Sequence, residues 1–250
     1  MLLLICITLL AAGGAASWLS LRLPLVRKRL TGANAIHGAY LSSVAIIFSL
    51  FVTLGASDVV QRGRELNLSA QREANTARSL LSLTESIGPS AGPVRQSLIE
   101  YLQSATTIEL AWLASGAPGE PPARAQADTL VEVATLFVTQ AGSAETIRSL
   151  LMGKIDDLRQ ARTQRINLSH ASSSATQWLA LTIIAFITQM VIALAHSDRP
   201  AGAAAALGAF SLAAIVALFY LGWADGLIGP SKIDSAIVPL RDVLATVSGA

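Results

Sequence analysis

The chain has 250 residues, 52% of them hydrophobic and 14% charged, with a mean hydropathy of +0.55; in a typical soluble domain about a quarter are charged. That composition belongs to an integral membrane protein. A net charge of +2 supplies no basic field for a polyanion, which excludes nucleic acid as a partner, and the single cysteine, Cys6, can form neither an internal disulfide nor a multi-cysteine metal site.

Residues 1–21 are rich in Leu, Ile and Ala and carry no charge, which suits a first transmembrane helix. A signal peptide would start with positive residues, and none is present. Arg22, Arg27, Lys28 and Arg29 follow, with Pro24 ending the helix, so a short basic connection beside the headgroups leads to the second span. That span, 36–57, is uncharged apart from His37 and long enough to cross a bilayer. No proline follows before Pro89, and Leu66, Ala70, Ala77, Leu80, Leu81 and Thr84 recur at steps of three and four. The pattern predicts one helix that leaves the membrane and continues into water as an amphipathic rod, about fifty residues and roughly 75 Å long.

Between 58 and 173 the composition becomes that of a soluble helical bundle, with eleven Lys or Arg and twelve Asp or Glu. Breaks at Gly88-Pro89, at Gly92-Pro93 and over the loop 116–122 separate three further helices. The first, 94–114, aligns Val94, Leu98, Tyr101, Leu102, Ala105, Ile108 and Trp112; the second, 123–140, aligns Leu130, Val133, Ala134 and Phe137. The third, from 143, aligns Ile147, Leu150, Leu151, Ile155 and Leu158. These stripes predict a bundle core in which Tyr101 and Trp112 are anchors rather than a cofactor box.

No proline interrupts the last helix before Pro200, so it is expected to run on into a third span, 176–195. Gln189 in that span needs a partner from another helix or a wet cavity. A turn at 196–200 leads to a fourth span, 201–224, where Gly202, Ala206 and Gly208 allow close packing. Trp18, Trp178, Tyr220 and Trp223 fall near span ends, where amphipathic rings prefer the interface. The predicted fold class is therefore an all-α integral membrane protein of four transmembrane helices, the second and third extended into a helical-bundle soluble domain. Its divisions are 1–57 for the first two spans, 58–173 for the domain, 174–226 for the last two spans and 227–250 for a tail. This order places both termini and the domain on one side. The basic residues point both ways about which side: those at 22–29 favour a cytoplasmic first loop, whereas Arg62, Arg64, Arg72, Arg159, Arg162 and Arg165 favour a cytoplasmic domain.

No catalytic constellation is legible. The three histidines lie far apart, no His-Glu-x-x-His, Cys-x-x-Cys or phosphate loop occurs, and the acidic pair Asp156-Asp157 reads as surface, so no enzyme, cofactor or metal is expected. What remains is a membrane route. Ser42, Ser49, Thr53 and Ser57 fall near one face of the second span, flanked by Ile46 and Leu50, with Ile47, Phe51 and Leu54 farther round. Hydroxyls can donate to a partly dehydrated anion and apolar collars can close a pore, although Ser and Thr in spans also serve helix packing.

Several segments carry a resemblance: the second span ending Phe-Val-Thr-Leu-Gly55, the run Arg64-Glu-Leu-Asn-Leu-Ser-Ala-Gln-Arg-Glu-Ala-Asn75 leading to Leu80-Leu-Ser-Leu83, and the segment from Arg159 to Arg165. To these is added the tail Ala224-Asp225-Gly-Leu-Ile-Gly229-Pro230, followed by Val238-Pro239-Leu240. Together with the order of two spans, insert and two spans, they resemble the bestrophin-like family of four-span bacterial membrane proteins, related to the bestrophin anion channels. Where that family has Pro-Phe in its tail motif, this chain has Leu227-Ile228. The resemblance implies a homo-oligomer, a pentamer in the bestrophins, in membrane lipid. It implies a helical domain and termini on the cytoplasmic side of a bacterial inner membrane, and a chloride-type channel for small anions around the second span. The expected pore lining is Ser42, Ile46, Ser49, Leu50, Thr53 and Ser57, with Phe51 as the narrow apolar collar. The acidic calcium cluster of animal bestrophins has no counterpart here. The alternative function is a non-conducting membrane scaffold or sensor whose helical domain binds a partner.

Overall fold

The structure is a computed structural model that describes residues 7–8, 10–15, 19, 38–115, 119–140, 145–170, 175–196, 200–225 and 232–248; among these the regular structure is helical, with no strand. Most of the first expected span, the basic connection at 22–29, His37, and the junction 171–174 where the third long helix was expected to enter its span lie outside the described residues. The helices are α1 (Gly38–Ile87), α2 (Gly92–Thr106), α3 (Ile108–Ser115), α4 (Arg124–Gln140), α5 (Glu145–His170), α6 (Ala175–Ala195), α7 (Pro200–Ala224) and α8 (Lys232–Ser248). Among the described residues, three stretches are long and apolar enough to cross a membrane: within Ser42–Ile87, within Glu145–Ala195 and at Ala201–Ala224.

The chain divides into two compact units, Met1–Gln61 with Ser173–Gly229 and Arg62–Ser172 with Pro230–Ala250. The 50 residues of α1 contribute to both. In the first unit Leu10, Trp178, Leu181, Ala185, Ala214, Leu218 and Leu221 form an apolar core against which Phe48, Val52 and Ala56 of α1 pack. The rings of Phe48 and Phe210 meet edge to face at 5.1 Å, a favoured aromatic geometry. Trp178, near the start of α6, is buried in this core in register with Leu181 and Ala185. Tyr220 and Trp223 are about half exposed, as belt residues are.

In the second unit Ala74, Ala77, Leu80 and Leu81 of α1 meet Val94, Leu98 and Leu102 of α2 and Leu130 and Ala134 of α4, while Leu66 and Ala70, earlier on α1, pack with Leu168 of α5. Leu151, Ile155 and Leu158 of α5 and Leu240 and Val243 of α8 complete that core. Helix α1 ends where Gly88, at φ +95°, donates its N–H to the Thr84 carbonyl, a conformation only glycine adopts without strain, and Pro89 follows.

Two sequence expectations differ from the structure, the unbroken helix over 94–114 and the inward place of Leu150. The single helix expected over 94–114 is broken after Thr106 into α2 and α3. The consecutive β-branched residues Thr106, Thr107 and Ile108 weaken the helix there. The hydroxyls of Thr106 and Thr107 also bond back to the carbonyls of Leu102 and Gln103, and such back-bonding bends helices. The break turns Ile108 outward, where it is 55% exposed instead of in the core. Leu150 is likewise 48% exposed, since the inward stripe of α5 runs through Leu151, Ile155 and Leu158. The segment set apart as a tail contains α8, which packs on α2 and α3 within the second unit.

Candidate functional site

Helix α1 turns Phe48, Val52, Gly55 and Val59 toward the core of the first unit and leaves the opposite side uncovered. Ser42, Ser49, Thr53 and Ser57 are exposed, as are Ile46 (67%), Leu50 (54%) and Phe51 (41%). Only 11% of the most apolar stretch of Ser42–Ile87 is buried within the chain, against 44% and 22% for the other two candidate spans. Among the three described candidate spans this one is the least covered by its own chain. The Ser49 hydroxyl donates to the Ala45 carbonyl at 2.9 Å and the Thr53 hydroxyl to the Ser49 carbonyl at 2.8 Å, so neither proton is orphaned when the face meets lipid. Phe51 stands two residues from both Ser49 and Thr53, about 160° round the helix from each. The hydroxyl face and Phe51 thus cannot both look along one axis, while Ile46 and Leu50 lie beside the hydroxyls.

Gln189 is fully buried within the first unit. Its Nε2 donates to the Leu10 carbonyl and to the Ser211 hydroxyl, both at 3.0 Å, while its Oε1 has no hydrogen-bond partner among the described residues. Gly13 and Gly14 make this approach feasible: a Cβ on Gly13 would lie 2.8 Å from the Gln189 Oε1, and one on Gly14 would lie 2.8 Å from the Ser211 hydroxyl.

The second unit holds a feature that the sequence reading does not pick out, a buried chain of charges. Glu73 and Glu109 are fully buried, Arg165 is 1% exposed and Arg162 8%. Arg165 donates from Nε to the Glu73 Oε2 at 2.6 Å and from Nη2 to the Glu109 Oε1 at 2.7 Å. Arg162 pairs with the other oxygen of Glu109, and the Tyr101 hydroxyl donates to Glu73. Two carboxylates and two guanidiniums cancel, which is the condition for keeping charge in a low-dielectric interior. Burial, and then the charge of Glu73, push the Tyr101 hydroxyl well above its ordinary value, with Arg165 opposing.

The network ties α1 to α2, α3 and α5 within this unit. Its signal was present in the sequence: Glu73 falls in the same three-and-four stripe as Ala70 and Ala77, and Arg162 and Arg165 continue that of Ile155 and Leu158. A charge in register with an apolar stripe needs a buried partner. Being enclosed in these pairs, Arg162 and Arg165 do not face headgroups and carry no information about topology.

Among the described residues no group of three or more His, Cys, Asp or Glu is placed to hold a metal, and Asp156 and Asp157 are exposed. Trp112 packs edge to face on His170 at 5.0 Å.

Solved structures share this fold. A point variant of a bacterial bestrophin homologue from Klebsiella pneumoniae superposes with a TM-score of 0.67 over 96% of this chain and 99% of its own, at 13% identity. A second variant of that protein gives 0.70 over 99% and 97%, also at 13% identity. A crystal structure described as a membrane protein gives 0.72 over 98% and 99%, at 12% identity. No curated protein matches the chain in sequence. The family model of the bestrophin-like domain matches residues 7–225, well over half of the molecule. The protein is an integral membrane protein and not an enzyme, and on that match the chain belongs to the bestrophin-like family.

Proposed function

We propose that the protein is the subunit of a homo-oligomeric anion channel, pentameric by its resemblance to the bestrophins, that passes chloride and other small anions along a path lined by the membrane part of α1. The carrying observation is the exposed face of that helix, which among the described candidate spans is the least buried by its own chain. In lipid an apolar face needs no cover, but a face that also bears Ser42, Ser49, Thr53 and Ser57 suits contact with other copies around a wet axis. The helix supports two registers. In the first, the hydroxyls with Ile46 and Leu50 face the axis; in the second, Phe51 turns inward and forms the collar.

We favour the hydroxyl register. A hydroxyl that exchanges its bond to the carbonyl four residues back for a passing anion binds weakly and releases readily, which conduction requires. Four spans, with the second and third continuing into a helical domain over 58–173 and a tail from 227, complete the proposed subunit. The domain and both termini then lie on the cytoplasmic side of a bacterial inner membrane. Native mass measurement of the solubilised protein together with chloride efflux from liposomes tests this reading. A defined oligomer with efflux above that of empty liposomes supports it. A defined oligomer that passes no chloride favours a scaffold or sensor instead.

A further inference from the structure

The second unit contains a polar cavity of about 310 Å³ between the start of α4 and the later turns of α5. Its lining includes Arg124, Asp128, Arg159, Arg162, Thr163 and Asn167. Three guanidiniums and one carboxylate thus line it, the charge of Arg162 being already balanced by Glu109. Arg162 is the fixed member: only 8% of it is exposed, its Nη2 is held by Glu109, and its Nε has no hydrogen-bond partner among the described residues. Arg124 and Arg159 are about half exposed and reach Asp128 only at 3.7 and 3.5 Å, contacts that hold an exposed pair weakly. Arg124 also meets Glu120 at the rim, at 2.6 Å. The Thr163 hydroxyl donates to the Arg159 carbonyl.

We propose that this cavity binds a small oxyanion of the phosphate or carboxylate class. A guanidinium presents a planar fork that matches the oxygens of either group, and three of them around a partly enclosed space disfavour a cation or an apolar ligand. The volume is at the lower end of small-molecule sites, roughly 300–1,000 Å³, which fits inorganic phosphate or a small acid rather than a large nucleotide. Chloride, a single spherical acceptor, matches the planar fork less well than a two-oxygen group does, and the proposal does not rest on the conduction path. Asp128 opposes the bound anion, and because Arg162 also belongs to the buried charge chain, occupancy would be felt by Glu109.

The test is calorimetric titration of the detergent-solubilised full chain with inorganic phosphate and with succinate, at matched ionic strength and with chloride as reference. Saturable binding of one or both is expected, and the tighter of the two identifies the head group. Arg159→Gln should weaken it about tenfold or more, the loss of one charge-assisted contact, whereas Asp128→Asn, which removes the opposing carboxylate, should tighten it. Both side chains are half exposed, and unchanged melting temperatures would show that the variants are folded. No saturable binding of either anion, affinity for chloride equal to that for phosphate, or affinities unmoved by both substitutions would overturn the proposal.

Discussion

Arg165 donates from Nε to the Glu73 Oε2 at 2.6 Å across 92 positions of sequence, and both side chains are shut off from solvent. Removing one member of such a pair strands the other charge in the interior. Arg165→Leu is therefore expected to destabilise the second unit by about 3–5 kcal/mol. The double variant Glu73→Leu with Arg165→Leu, which leaves Glu109 paired with Arg162, should be less damaged than Arg165→Leu alone. Thermal unfolding of the solubilised protein followed by circular dichroism measures both; a melting point within a degree of the parent for Arg165→Leu would contradict the burial of this pair.

Tyr101 should give the network a signature at high pH. Its hydroxyl is held protonated in the folded state, above the ordinary value of 10.0, by burial and by Glu73. A group whose folded pKa is raised contributes stability that is fully present below its unfolded pKa and is lost as pH rises from there through the folded value. Stability should accordingly be flat in this term up to about pH 10 and fall beyond it. The chain has three tyrosines. Of these, the Tyr101 ring should stay silent in an absorbance titration at the tyrosinate band until the protein unfolds, and Tyr101→Phe should remove that alkaline slope, at a cost of about 1–3 kcal/mol for the donor lost by Glu73. Ionisation of Tyr101 in the folded protein, read as the difference between the titrations of the parent and of Tyr101→Phe, would contradict it.

Two glycines should respond oppositely to alanine. At Gly13 a Cβ would stand 2.8 Å from the Gln189 Oε1 and 2.9 Å from Phe186, whereas at Gly63 nothing lies within 4 Å. Gly13→Ala is expected to lower stability by about 1–3 kcal/mol through overpacking. Gly63→Ala, inside α1, should raise it by about 0.5–1 kcal/mol through helix propensity. Melting temperatures of the two variants side by side settle the pair; equal shifts would show that the N-terminal segment does not seat on Gln189.

The helices were legible in the sequence wherever a stripe of one chemical kind persisted. The length of α1, the core positions of α4 and α5 and the apolar runs of α6 and α7 all follow from period and composition. The break between α2 and α3 was not, because one face stays apolar through Thr106 and the disruption comes from hydroxyls bonding back to the helix. Helix α8 was hidden by Pro239, although Ile237, Leu240, Val243 and Val247 keep a step of three or four. The buried charges were missed for a different reason. Glu73 and Arg165 look like surface residues one at a time; their spacing puts each in register with an apolar stripe, and only the fold shows that they lie opposite one another.

Because Phe51 and the pair Ser49 and Thr53 point to nearly opposite sides of one helix, the two registers predict different mutants. If the hydroxyl face lines the path, Ser49→Ala with Thr53→Ala should change chloride conductance or selectivity and Phe51→Ala should leave both unchanged. If Phe51 forms the collar, Phe51→Ala should raise flux and the hydroxyl variants should be inert.

Chloride efflux from liposomes carrying the intact oligomer, with empty liposomes as the reference, measures whether the protein forms an anion path along α1. Efflux above the reference that changes on replacing Ser49 and Thr53 is the predicted result. A folded oligomer that passes no chloride, with or without those substitutions or Phe51→Ala, would contradict the claim.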